Sequence, residues 1–106
     1  MQPPFVFVAG TVGRDPDTGD LPADVEGQCG NALKIIGAAL AEAGASFGDV
    51  VRVTYYAPER SDFERCWPQL RAAFGANPPA STMVVAGLID PAMKIEIEVT
   101  AMLGAG

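Results

Sequence analysis

Histidine is absent from the 106-residue chain. Its absence removes imidazole acid/base chemistry, Ser-His-Asp triads and every zinc site with a His ligand. Cysteine is scarce. Cys29 and Cys66 stand too far apart for a CxxC metal or redox motif and read as reduced, partly buried thiols of a cytosolic protein. Basic residues are few as well: 7 Lys and Arg, scattered singly, against 13 Asp and Glu give a net charge of -6 and a pI near 4.3. A nucleic-acid surface rests on clustered cations, so the composition weighs against nucleic acid and the expectation is no nucleic-acid partner. No apolar run reaches the length of a membrane span, and the N-terminus lacks the basic flank of a signal peptide. The expectation is a cytoplasmic, soluble protein without a membrane partner.

What remains is apolar. Hydrophobic residues make up 49% of the chain and mean hydropathy is +0.21, high for one small domain, residues 1–106. A domain of this size holds a core without staples, and the surplus points to apolar surface buried against another subunit.

The most informative stretch is Lys94 to Leu103. Lys94, Glu96, Glu98 and Thr100 alternate with Ile95, Ile97, Val99 and Ala101, the period of a strand with one apolar and one polar face. Both carboxylates therefore point the same way. On an ordinary sheet such a face is merely solvated; if it lines a pocket, one Glu is placed to handle a proton or a water.

Upstream, Phe5 to Ala9 predicts a strand and Asp15 to Asp20 an exposed turn. Asp24 is the N-cap of a long amphipathic helix that stops at Gly44, and Gly30 and Gly37 within it predict close approach to the sheet. Ser46 to Asp49 predicts a small capped turn and Val50 to Ala57 a second strand. Ser61-Asp62-Phe63-Glu64 opens a helix to Phe74, in which Pro68 kinks the turn unless the helix starts late beside it. Thr82 to Ala86 is the third strand, Asp90-Pro91 a turn, Lys94 to Leu103 the fourth strand, and residues 104–106 a frayed tail. The order gives an α+β domain, one mixed sheet with two helices on one face, leaving the other face for subunit contact.

These residues resemble the Rid family, also called YjgF-like or endoribonuclease L-PSP. The likeness is carried, in family order, by Phe7-Val8-Ala9-Gly10, Asp15-Pro16-Asp17-Thr18-Gly19, Ala41-Glu42-Ala43-Gly44-Ala45-Ser46, Asp49-Val50-Val51-Arg52-Val53-Thr54, Asp62-Phe63, Pro78-Pro79-Ala80-Ser81-Thr82 and Lys94-Ile95-Glu96-Ile97-Glu98. The resemblance implies a chorismate-mutase-like fold, a homotrimer with small-molecule pockets at its subunit interfaces, and no cofactor or metal. In deaminating members an Arg grips the substrate carboxylate, and the Glu matching Glu96 positions the water that attacks an imine carbon.

The chain departs from that pattern at several pocket positions. Ala80 stands at the Arg position, Ala9 at the Ser beside Gly10, Trp67 at the Asn, and Thr82 at the Cys. The family's first strand, with a Gly-Pro-Tyr element, would precede Met1, so that wall of the pocket is expected to be missing or supplied otherwise. The site residues expected from the resemblance are Glu96 as catalytic group and Ala9, Gly10, Trp67, Ala80, Ser81 and Thr82 as lining. The function implied is deamination or hydrolysis of an imine-like compound with an altered substrate, with Ser81 or Thr82 offering a hydroxyl and Arg14 or Arg52 a replacement cation. The alternatives are a non-catalytic trimer that binds a metabolite or partners an enzyme, and a ribonuclease, which the acidic charge opposes.

Overall fold

The computed structural model describes residues 4–75 and 78–104. Its elements run β1 (Phe5–Val12), α1 (Val25–Glu42), a single 3-10 turn (Phe47–Asp49), β2 (Val50–Ala57), α2 (Arg60–Arg65), α3 (Trp67–Phe74), β3 (Ala80–Val85) and β4 (Glu96–Met102). The strands form one mixed sheet in the order β1-β4-β2-β3, with β4 antiparallel to both neighbours and β3 parallel to β2. The α+β sheet with helices on one face is as expected. Among the described residues no helix is long and apolar enough to cross a membrane.

The core lies between the sheet and the helices, and the alternation in β4 decides its composition. Ile97 in the strand and Ile95 just ahead of it are 0% exposed and Val99 2%, packed with Val25, Ile36 and Leu40 of α1 and Leu70 and Phe74 of α3. Each such side chain contributes roughly 1.5–3 kcal/mol by leaving water. Helix α1 begins where Asp24 accepts a hydrogen bond from the Gly27 amide at 3.3 Å, and the chain reverses at Gly44, φ +80°. Such a φ suits a residue without Cβ.

Three local expectations change. The second helix is two: α2 ends at Arg65, and α3 opens at Trp67 with Pro68 in its first turn, where a missing N–H costs nothing. Gly30 and Gly37 do not face the sheet. A Cβ there would meet Gln69 Oε1 at 3.2 Å and the Phe47 ring at 3.1 Å, so both mark contacts among helical segments. The ladder also carries two irregularities, between Val8 and Thr11 of β1 and between Val50 and Arg52 of β2. The second takes Val51 out of the alternation with Val53 and Tyr55, which stay buried. Ala105, Gly106 and Asn77 lie outside the described residues.

Candidate functional site

On the sheet face away from the helices, register sets side chains in rows. Glu96 lies between Val12 and Tyr56, and Tyr56 pairs in turn with Val84. Glu98 is flanked by Thr54 and, beyond it, Thr82, with the Ala9-Gly10 bulge on its other side. Thr100 stands between Phe7 and Arg52, and Arg52 beside Ala80. Two hollows open here. One of about 340 Å³ is lined by Phe7, Ala9, Arg52, Thr54, Glu98 and Thr100 among others; one of about 350 Å³ by Phe5, Phe7, Val51, Arg52, Ala80 and Thr100.

The bulge in β1 places Gly10 beneath Glu96. Thr11 Oγ1 donates to the Ala9 carbonyl across it, at 2.9 Å. Beside Gly10 the Glu96 side chain lies over the strand, and among the described residues its carboxylate has no hydrogen bond or ion pair. The neighbouring Glu98 differs: Tyr56 Oη donates to its Oε1 at 3.0 Å. That hydrogen bond, then desolvation, then the charges of Glu98 and Glu96, raise the Tyr56 phenol above its ordinary range. Two carboxylates thus sit on one strand, one engaged and one available to water.

Ala9, Gly10, Ala80, Thr82 and Glu96 therefore share this face. Ser81 and Trp67 do not. Ser81 pairs with the buried Val53 and lines a separate hollow of about 410 Å³ with Tyr55, Phe63 and Phe74, its hydroxyl donating to the Pro79 carbonyl at 3.0 Å. Trp67 starts α3, 46% exposed, edge-on to Phe63 at 6.4 Å. Of the two candidate replacement cations, Arg14 is placed beside Asp90 at 4.0 Å and the Gly19 carbonyl at 3.3 Å. Arg52 is on the site face.

Both cysteines are buried and free. The hydrogen bond the two thiols share, then burial, push Cys66 well above its ordinary value, while the same bond lowers Cys29. With both 0% exposed, burial rather than titration keeps either from acting as a nucleophile. Among the described residues no three His, Cys, Asp or Glu gather to hold a metal.

The sequence profile of the endoribonuclease L-PSP family matches residues 2–103. The chain belongs to the Rid, or YjgF-like, family. It is 37% identical over 98 residues to a RutC family protein of Pyrococcus abyssi, covering 92% of this chain and 77% of that one. It is 31% identical over 101 residues to the 2-iminobutanoate/2-iminopropanoate deaminase of Escherichia coli K12, covering 92% and 79%. Among solved structures, this Rid protein resembles a YjgF/YER057c/UK114-family member from Mycobacterium tuberculosis, with a TM-score of 0.81, 36% identity and 94% and 80% coverage. Escherichia coli TdcF, crystallised with bound serine, superposes with a TM-score of 0.82, 30% identity and 92% and 80% coverage.

One residue that fixes the approach to this candidate face of the Rid protein went unread in the sequence. Gln28 of α1 is 0% exposed. Its Nε2 donates to the carbonyls of Pro22 at 2.8 Å and Ala92 at 2.9 Å, and its Oε1 accepts from the Lys94 amide at 2.8 Å. The side chain thereby fixes the segment leading into β4, two residues before Glu96. The only hint was an amide among Val25, Cys29 and Ala32, a polar group on an apolar stripe.

Proposed function

We propose that this Rid protein is an imine or enamine deaminase whose pocket lies on the open sheet face, with Glu96 as its base. A water held by Glu96 adds its oxygen to the carbon of the protonated imine while one of its protons passes to the carboxylate, leaving a neutral carbinolamine. Glu96 returns that proton to the nitrogen, the C–N bond breaks as the hydroxyl oxygen becomes the carbonyl, and the hydroxyl proton leaves on the departing ammonia, so the products are ammonium and a carbonyl compound. The observation that carries the reading is the Glu96 carboxylate lying over Gly10 with no hydrogen bond or ion pair among the described residues. The curated relative named as a 2-iminobutanoate/2-iminopropanoate deaminase supports the reaction class.

The substrate differs from that of Arg-bearing members, because position 80 presents a methyl group. The working form is a homotrimer with the pocket between copies. In support, the rows of Glu96 and Ala80 stand four residues, about 13 Å, apart along the strands, and each row carries an exposed apolar side chain, Val84 in the first and Phe7 in the second.

The test is ammonia release from imines generated in situ by an amino-acid oxidase. The unaltered protein accelerates release and Glu96→Gln loses at least about a hundredfold of it. Equal rates with and without protein would leave a non-catalytic binding module as the better reading.

A further inference from the structure

Arg52 is the only Lys or Arg in the four strands. It is exposed at the centre of a row, with Thr100 on one side and Ala80 on the other. It lines both hollows of the site face. Among the described residues its guanidinium has no hydrogen bond or ion pair, although Glu98 lines one of the same hollows. The two nearest row neighbours are a hydroxyl and a methyl, neither of which neutralises it. A planar cation with five donors, unanswered inside a concave surface, is fitted to a planar anion.

We infer that Arg52 binds the carboxylate of a small organic acid, with the Thr100 hydroxyl beside it and the acid's hydrocarbon part against Phe5, Phe7 and Val51 above Ala80. The neighbourhood decides between classes of anion. One guanidinium in a chain of net charge -6, with Glu98 on the same hollow, repels polyanions such as nucleic acid or nucleotides and favours a monocarboxylate. The rings of Phe5 and Phe7, with centroids 6.2 Å apart, and the space that Ala80 leaves open favour a branched or aromatic side chain over a methyl or ethyl group. This deepens the proposed reading, since the acid is then the substrate's own: a 2-imino acid with a bulky apolar side chain, gripped one strand away from position 80. Because that row stands about 13 Å from Glu96 on the same chain, the imine is attacked by the water on Glu96 of a neighbouring copy.

Binding is measured by calorimetry with 4-methyl-2-oxopentanoate, the oxo acid such a reaction would release, and with 4-methyl-2-pentanone, the same skeleton without its carboxylate. The oxo acid binds the unaltered protein, at least about tenfold more tightly than the ketone. Arg52→Gln weakens the oxo acid about tenfold or more and leaves the ketone unchanged, while Arg52→Lys loses only part of the affinity. Ala80→Asp, which sets a carboxylate beside an intact Arg52, blocks the acid as well, and so answers the question if Arg52→Gln fails to fold. No binding by the unaltered protein, or an Arg52→Gln affinity equal to the parent's, overturns the inference. The two readings separate cleanly. Arg52-dependent binding without imine turnover leaves the anion site standing and removes the deaminase; Glu96-dependent turnover with the parent KM in Arg52→Gln does the reverse.

Discussion

The carboxylate of Glu96 occupies the space that a side chain on Gly10 would fill: a Cβ built there stands 2.8 Å from both Cδ and Oε2 of Glu96. Gly10→Ala therefore moves the end of a flexible side chain rather than any backbone. The fold is expected to survive with a loss of less than about 1 kcal/mol, while displacement of the water-holding oxygen lowers kcat for imine hydrolysis by about a hundredfold. Parent-like kcat in a folded Gly10→Ala protein would show that Glu96 does its work in another position.

Gln28 gives the opposite signature. Gln28→Leu keeps the volume but leaves the Pro22 and Ala92 carbonyls and the Lys94 amide without the partner they have now. A loss of roughly 3 kcal/mol is expected in denaturant unfolding, read as a lower midpoint at unchanged slope.

The two tyrosines, Tyr55 and Tyr56, both titrate above the ordinary phenol range, Tyr55 chiefly through burial and Tyr56 chiefly through its bond to Glu98. A raised acid keeps its proton in the fold after the unfolded chain has lost it. Both groups therefore add stability that is fully present below the unfolded tyrosine pKa and is lost as pH rises toward the folded values. Absorbance at 295 nm in a pH titration is expected to show little phenolate at pH 10 and then a joint rise with unfolding. An early one-tyrosine step would contradict the Tyr56–Glu98 bond, and its appearance only in Glu98→Gln would confirm the cause.

The thiols supply a fourth check. Cys29 and Cys66 are 0% exposed and Cys66 holds its proton tightly, so a disulfide reagent at pH 8 is expected to label neither in the native protein and both in denaturant. Rapid native labelling would mean that α2 and α3 open far more readily than their packing implies.

How much of this could be read from the chain differs by the range of the interaction. The alternation of β4 is local and survives intact, as do the Asp24 cap and the turn at Gly44. Pro68 was readable as a conflict, and its resolution into two helices follows from where a proline is tolerated. The bulges at Ala9-Gly10 and Val51 were not readable, since one extra residue exists only relative to a partner strand. Gln28 was hidden for the same reason: it bonds residues 64 and 66 positions away. The facing of Ser81 follows from strand parity once the start of β3 is known. Trp67 follows from the break at Cys66, which periodicity alone did not locate.

Strand β4 keeps its two duties on separate positions. Ile97, Val99 and Ala101, with Ile95 just ahead of the strand, face the helices, and Glu96, Glu98 and Thr100 face the open side. A saturation scan of this strand would show phenotypes that alternate residue by residue, with abundance falling at odd numbers and substrate preference shifting at even ones. Such a surface can trade one ligand for another by single steps, because no step passes through the core.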